Sequence, residues 1–185
     1  MIDRASTVSY FTVMAILPII ALPDPILRKL SKPVERVDDE LRELMDDMLE
    51  TMYAAPGVGL AAVQVGVPRR FIVLDVSKDE AQPEPLYMVN PEIVALGSET
   101  RVHEEGCLSI PEVLVDIERP SSVTVRYLDR LGASAELTAE GLLATAIQHE
   151  INHLDGKLII DFLSPLKRDM IVRKFKKQAR ATEAL

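Results

Sequence analysis

Apolar positions within residues 38–53 recur with the spacing of an amphipathic α-helix. The pattern puts the leucines and methionines of this segment on one face, and Asp38 is suited to cap the first turn. We expect these methionines to fill the core rather than to form a binding surface. The proline and the two glycines within residues 55–60 then end the helix.

Short apolar and β-branched runs bounded by turn residues predict several strands in the rest of the chain. These are residues 70–76, 86–90, 92–96, 113–118, 122–128, 133–138 and, last, 158–162. Helical patterns return at residues 140–154, followed by Gly156, and at residues 165–184. Strands and helices do not alternate strictly, so the predicted fold class is α+β: mixed or antiparallel short strands around a central helix, plus an N-terminal and a C-terminal helix.

The first apolar run, residues 8–22, is interrupted by polar residues and by Pro18, and it is too short to span a bilayer. Only Arg4 precedes it as a basic residue, and no clean cleavage site follows. This favours an extension and then a first buried segment, residues 15–21, over a signal peptide. Met14 is an alternative start, so we expect residues 1–13 to be an extension, residues 14–166 one domain, and residues 167–185 a basic helix of that domain.

Composition narrows the class of protein. The chain has 185 residues, 48% hydrophobic and 27% charged, which is the balance of one soluble globular domain. A net charge of −8 argues against general nucleic-acid binding, DNA included, and the absence of Trp argues against stacking platforms for bases. Cys107 is the only cysteine, which indicates a reducing compartment or a thiol kept for its own chemistry.

The strongest chemical signal is the pentapeptide His149-Glu150-Ile151-Asn152-His153. On a helix its two histidines lie on one face and can hold one metal ion, and Glu150 can take a proton from water beside that ion. Two unrelated histidines on one helix remain the alternative. The chain has three histidines in all, and two of them form this motif.

A catalytic metal of this kind needs a third protein ligand and an open position. No histidine follows the motif, and the later aspartates, Asp155, Asp161 and Asp169, fall in no recognisable ligand pattern. Upstream, residues 105–109 contain Cys107 beside a glycine. A thiolate and two imidazoles suit a soft or borderline divalent ion, although an inert buried cysteine is an equal alternative from this segment alone.

Residues 57–64 contain two glycines, which let a ligand approach the backbone, and Gln64, which can donate through its amide. Alone, this segment is better explained as a helix end followed by a tight turn.

Together, residues 57–64, 105–109 and 148–153 resemble the three motifs of peptide deformylases, in the same order and at similar spacing. The likeness extends to residues 17–19, 23–27, 89–91 and 163–167, and so covers about residues 14–180. It implies a catalytic domain of a hydrolase that removes the N-formyl group from the N-terminal formyl-methionine of new polypeptides and releases formate. Cys107, His149 and His153 would hold the metal, with Fe(II) as the native ion and Ni, Co or Zn as replacements.

The resemblance also implies roles for other residues. Glu150 is the general base and later the proton donor, while Gln64 and the Leu108 backbone N–H stabilise the oxyanion. The Gly59 backbone pairs with the substrate chain. Helix spacing puts Leu142, Thr145 and Ala146 one or two turns before His149. We therefore expect a pocket for the methionine side chain lined by the following residues: Val58, Leu142, Thr145 and Ala146, with His103 at its rim.

Three features depart from the family pattern. Asn152 stands where we expect Asp, and we expect the lost charge to weaken a supporting ion pair. His103 stands where an apolar or aromatic residue is usual. Residues 116–118 are acidic where many relatives carry a basic residue, which changes how a peptide docks.

The C-terminal segment, residues 164–185, holds seven Lys or Arg residues against two acidic ones. A basic helix on an acidic body predicts transient contact with ribosomal RNA, although a solvated helix face is the simpler alternative. The expected location is the cytoplasm or an organelle lumen of bacterial origin. Two rival functions remain: a metallopeptidase, and a non-catalytic relative that binds ribosomes or a partner.

Overall fold

The computed structural model describes residues 15–77 and 82–183, and its elements are those of an α+β protein. The helices are α1 (Asp39–Ala54), α2 (Gly141–Leu154) and α3 (Pro165–Glu183). The strands are β1 (Gly59–Ala61), β2 (Phe71–Leu74), β3 (Leu86–Leu96), β4 (Thr100–Glu105), β5 (Val115–Pro120), β6 (Ser122–Leu128) and β7 (Ser134–Glu140). Three short 3₁₀ helices lie at Pro25–Arg28, Ala62–Val65 and Ile159–Phe162.

Five strands form an antiparallel sheet in the order β1-β2-β3-β6-β7, and both faces of its first strands are covered. Phe71 and Val73 of β2 pack with α1, whereas Ile72 and Leu74 pack with α2. Because both faces of β2 are buried, its sequence is a continuous apolar run rather than an alternating one. The sheet is thus held between the two helices.

Helix α1 begins where the sequence predicts it. The Asp38 side chain accepts a hydrogen bond from the Leu41 N–H at 3.0 Å, which caps the first turn. Met45, Met48 and Met52 are fully buried against the sheet, so the expectation that the methionines fill the core is confirmed.

Strands β4 and β5 form a separate two-stranded ribbon. Val115 and Ile117 point from β5 into a third apolar cluster. This cluster also contains Leu158, which precedes the last 3₁₀ helix, and Phe175, which belongs to α3. The ribbon and α3 therefore share a core beside the end of α2.

The predicted helices and most predicted strands are confirmed, with three corrections. Residues 158–162 were expected to be a strand, but they form a 3₁₀ helix with Ile159 and Ile160 buried. Residues 15–21 were expected to be a buried segment, but they have no regular structure and are only partly buried: Leu17, Ile19 and Ile20 pack against the core, whereas Ile16 is exposed. The two strands expected around Pro91 are one strand, β3, with register shifts near the proline.

The structure adds β4, which the sequence reading did not predict, and makes residues 59–61 a strand. The expected extension, residues 1–13, lies outside the described residues. Among the helices of residues 15–77 and 82–183, none combines the length and the hydropathy needed to cross a bilayer.

Candidate metal centre

Helix α2 carries the two histidines of the pentapeptide motif. Almost every residue from Ala144 to Leu154 is buried, since the sheet packs on one side and the ribbon lies near its end. His149 and His153 are one turn apart, and their ring centroids are separated by 5.1 Å. The helix thus presents two imidazoles to the same side.

Cys107 reaches this pair from the loop that follows β4. Its Sγ lies 3.2 Å from Nε2 of His153, and one ligand atom from each of Cys107, His149 and His153 lies within 4.8 Å of the others. Within the described ranges this is the one cluster of His, Cys, Asp or Glu side chains found to suit a metal ion. The third donor therefore comes from upstream.

The downstream aspartates are engaged elsewhere. Asp155 accepts a hydrogen bond from Arg70 at 2.7 Å, and Asp161 pairs with Arg28. Oδ1 of Asp169 lies 3.5 Å from Nε of its neighbour Arg168 in α3.

A buried carboxylate orients the first histidine. Oε2 of Glu105 lies 3.0 Å from Nδ1 of His149. Burial alone would raise the pKa of Glu105, but contacts with His149 and Arg119 hold that pKa below its ordinary value, so the carboxylate is an acceptor. Nδ1 must then carry the proton, which leaves Nε2 of a neutral His149 available to a metal.

Arg119 of β5 completes this network. Its Nε and Nη2 donate to the two oxygens of Glu105 at 2.5 and 2.9 Å, and its Nη1 donates to Oδ1 of Asn152 at 2.8 Å. Arg119 binds Glu105 through both oxygens, so the supporting ion pair is present beside Asn152. That the lost charge at position 152 weakens this pair stays a prediction.

Glu150 lies beside the cluster of Cys107, His149 and His153, and one oxygen of its carboxylate has no hydrogen-bond partner among the described residues. That oxygen is Oε2, and the residue is 4% exposed. Burial raises the pKa of Glu150 to about 7, with nearby Glu105 adding to the rise and His149 opposing it. A carboxylate with this pKa can accept and return a proton near neutral pH.

Gly59 makes room for that carboxylate. A Cβ atom at this position would lie 2.5 Å from Oε1 of Glu150 and 2.9 Å from its Cγ. Only glycine lets the β1 backbone come this close to the Glu150 side chain.

Gln64 lies in the 3₁₀ helix that follows β1 and is 1% exposed. Its Oε1 accepts a hydrogen bond from the Ala61 N–H at 2.8 Å, so its Nε2 must face the other way. That Nε2 lies 3.1 Å from Oγ of Ser109 and 3.8 Å from Sγ of Cys107. The amide donor is thereby aimed at the donor cluster.

A cavity of about 400 Å³ opens onto these groups. The sequence-predicted residues that line it are Val58, Gly59, Gln64, His103, Cys107, Leu108, Leu142, Thr145, Ala146, His149 and Glu150. Leu142 and Val58 are 49% and 42% exposed, so they stand at the mouth, whereas Ala146 is buried in the wall. His103 and Glu104 lie on the β4 side, and Asp116 and Glu118 point to solvent from β5.

The donor chemistry fits a divalent metal ion. A thiol and two imidazoles converge in a buried site, and His149 is already oriented by Glu105. Without a metal, one histidine of the cluster is favoured as the charged imidazolium and the other as the neutral imidazole. Burial opposes the charge, but contacts with Cys107 and Glu105 raise the pKa of His149 to about 10, while burial and the charge of His149 lower the pKa of His153 well below its ordinary range.

The sequence reading missed the supporting contacts of Glu105, Ser109 and Arg119. Arg119 had a detectable signal, because it continues the inward-facing alternation of Val115 and Ile117. A charged side chain at such a position must find a buried partner. The predicted strand stopped at residue 118, one position too early.

Comparison with known proteins gives a consistent match. The family model described as polypeptide deformylase matches residues 16–169. A peptide deformylase from Rhizobium meliloti is 55% identical over 171 residues, covering 92% of this chain and 98% of that protein. The structure of a peptide deformylase from Legionella pneumophila is similar with a TM-score of 0.83 and 50% identity, covering 91% of this chain and 98% of that one. A class I type b peptide deformylase from Acinetobacter baumannii, with Met-Ala-Ser bound, has a TM-score of 0.76 and 34% identity, covering 81% of this chain and 99% of that one.

Proposed function

Because this chain belongs to the polypeptide deformylase family, we propose how its own residues carry out the reaction of that family. The protein is a metal-dependent hydrolase that removes the N-formyl group from the N-terminal formyl-methionine of newly synthesised polypeptides. The observation that carries the assignment of roles is the buried cluster of Cys107, His149 and His153 beside an unpaired oxygen of Glu150.

Cys107, His149 and His153 would hold the metal ion, which polarises the formyl carbonyl and activates a water molecule when it is bound. We take Fe(II) as the native ion, with Ni, Co and Zn as substitutes. Glu105 supports this set by fixing the tautomer of His149.

Glu150 is the general base and then the general acid. Its raised pKa of about 7 lets the carboxylate take a proton from the attacking water and give it to the leaving amine. Nε2 of Gln64 and the backbone N–H of Leu108 donate to the oxygen that becomes negative during the attack. Gln64 is suited to this role because its other amide atom is held by the Ala61 N–H.

The peptide binds in the cavity that opens onto these groups. The methionine side chain of the substrate contacts Val58, Leu142, Thr145 and Ala146, while His103 lies at the rim. The backbone at Gly59 pairs with the substrate backbone, because β1 is the edge strand of the five-stranded sheet. The structure of the Acinetobacter baumannii relative with Met-Ala-Ser bound supports a peptide of this kind as the ligand.

The basic helix α3 gives the enzyme a transient contact with ribosomal RNA, and an acidic protein of net charge −8 is not expected to bind DNA. A lone cysteine used as a metal ligand suits a reducing compartment, so we place the protein in the cytoplasm or in an organelle lumen of bacterial origin. We also take residues 1–13 as an extension, 14–166 as the catalytic domain and 167–185 as its basic helix.

The decisive experiment measures formate release from formyl-Met-Ala-Ser by protein purified without oxygen, beside a Glu150→Ala variant. We expect wild-type turnover, and a loss of about 10²- to 10⁴-fold in the variant, because Glu150 moves the proton. Both proteins should contain equal amounts of metal, since Glu150 is not a ligand.

The matched control is Glu43→Ala, which removes an exposed glutamate from α1 and should leave turnover unchanged. Met-Ala-Ser without the formyl group tests for peptidase activity, and we expect no cleavage. Wild-type protein loaded with Fe(II), Ni(II) or Co(II) that releases no formate would contradict the proposal.

A further inference from the structure

The ion pair between Arg119 and Glu105 is anchored to α2 at both of its ends. Glu105 lies 3.0 Å from Nδ1 of His149, and Arg119 donates to Oδ1 of Asn152 at 2.8 Å. His149 and Asn152 are three residues apart on α2, which places them on neighbouring positions of its surface. The four side chains therefore form a closed ring between the helix and the β4–β5 ribbon.

Each donor of Arg119 in this ring has a distinct partner. Nε and Nη2 bind the two oxygens of Glu105, and Nη1 is left to bind Asn152. A guanidinium only donates, so the amide of Asn152 must turn its oxygen toward Arg119. The orientation of Asn152 is thus set by the ring itself.

The guanidinium plane is fixed by two kinds of contact. Cζ of Arg119 lies 5.1 Å from the centroid of the Phe162 ring, which packs on its face. A face contact does not stop the group from turning within its own plane. Glu105 on one edge and Asn152 on the other restrict that rotation, and Arg119 is only 5% exposed, so water is a poor substitute for either.

We propose that Asn152 is a positioning residue for the metal centre. Its amide oxygen holds Arg119 so that Glu105 keeps the imidazole of His149 turned toward the metal position. The same ring ties the ribbon, which leads into Cys107, to the helix that carries His149 and His153. This inference rests on the proposed metal ligands but not on the reaction.

The test measures how fast Co(II) leaves the protein when a strong chelator is added, followed by the visible absorption of the Co(II)-thiolate site. Asn152→Ala removes the oxygen, and we expect release to be about tenfold faster, the lower end of the effect of losing an outer contact to a metal ligand. Asn152→Asp keeps an oxygen for the same Nη1 donor, so it should release Co(II) at nearly the wild-type rate.

Asp155→Asn is the matched control. Asp155 follows the same helix one turn later and pairs with Arg70, outside the ring. If its release rate rises as much as that of Asn152→Ala, the effect is general loosening of α2 and the proposal is wrong. The proposal is also wrong if Asn152→Ala releases Co(II) at the wild-type rate, or if Asn152→Asp is as fast as Asn152→Ala.

The outcome is separable from that of the deformylase assignment, because Co(II) release is measured without substrate. Wild-type protein that lacks turnover but shows the expected pattern of release rates would contradict the function and support the inference. Co(II) retained by Cys107→Ala with an unchanged absorption spectrum would contradict the ligand set, and the inference would fail with it.

Discussion

Gly59 is the residue at which the β1 backbone approaches Glu150, the proposed general base. A Cβ atom there would stand 2.5 Å from Oε1 of Glu150, so Gly59→Ala must push the carboxylate away from the water it serves. We expect kcat to fall by about 10²-fold, which is the usual cost of a displacement near 1 Å at a reacting centre. Formate release and metal content, measured together, check this.

A double-mutant cycle identifies the cause of that loss. In the Glu150→Ala background the added methyl group has no carboxylate to displace, so Gly59→Ala should cost little more. If the two losses multiply instead, the methyl group acts on substrate binding or on the fold of β1, and the explanation through Glu150 is wrong.

The proton held by the metal-free cluster makes metal binding depend on pH. Burial opposes a proton on His149, yet contacts with Cys107 and Glu105 raise its pKa to about 10. Protonated His149 therefore stabilises the folded, metal-free protein. This stabilisation is complete at pH values below the ordinary histidine pKa and is lost as pH rises through about 10. A metal ion must displace this proton, so its apparent affinity should rise roughly tenfold per pH unit between pH 7 and 9.

Chelator competition at several pH values measures this affinity, and a pH indicator measures the released proton. Glu105→Gln offers the comparison, because loss of the carboxylate removes part of the support for the proton on His149. In that variant, the rise of metal affinity with pH should therefore level off at a lower pH than in wild type. An affinity that does not change between pH 7 and 9 would contradict the account.

Single residues differ in how far their role could be predicted from sequence. His149 and His153 were recognisable because helical spacing alone fixes them on one face. Cys107 needed the resemblance to a family, since a lone cysteine is compatible with an inert core position. Arg119 was missed because the predicted strand ended one residue before it and because its partner, Glu105, belongs to β4, which was not predicted.

Helix α2 is the element that carries both proposed histidine ligands and part of the proposed substrate pocket. Ala146 lies one turn before Glu150 and forms part of the buried wall of the cavity. Ala146→Leu should fill space that the methionine side chain needs, and lower kcat/KM for formyl-Met peptides by about 10- to 200-fold. A formyl-Gly peptide, which places no side chain there, should be processed at the wild-type rate.

The ratio of the two substrates is the measurement, because a folding defect lowers both rates equally. Leu143→Met changes a half-buried residue of the same helix that does not line the cavity, and its ratio should match that of wild type. An unchanged ratio in Ala146→Leu would show that the methionine side chain binds elsewhere.

Elements with a strong local signal were predicted correctly, and those decided by tertiary contacts were not. Helix α1 has a cap and a clear apolar face, and β6 has turn residues on both sides, so each was found with its correct bounds to within a residue. Strand β4 alternates poorly and is mostly exposed, so pairing with β5 decides its conformation. Residues 158–162 carry an apolar run typical of a strand, but the third apolar cluster buries it as a 3₁₀ helix.

At the scale of the whole molecule, charge is separated between α3 and the rest. The whole chain has a net charge of −8, yet residues 164–185 hold seven basic and two acidic residues. The helix buries Phe175 against the body and leaves Lys167, Arg173, Lys177 and Arg180 exposed. None of the residues that line the cavity belongs to α3, so the cavity and the exposed cations of this helix are separate features of the surface.

The exposed cations of α3 lead to a prediction about ribosome binding. Arg173, Lys177 and Arg180 follow one another at helical spacing on the exposed face, and reversing all three to Glu should weaken binding to ribosomes. If each contacts one phosphate, the slope of log affinity against log salt should shrink by about two to three. Lys29, Arg36 and Arg101 are exposed on other surfaces, and reversing them changes the net charge equally. Ribosome binding of both triple variants is measured by co-sedimentation over a range of salt. Equal losses of affinity in the two variants would mean that total charge rather than α3 governs the contact. Turnover of a free formyl-Met peptide should be the same in both variants as in wild type.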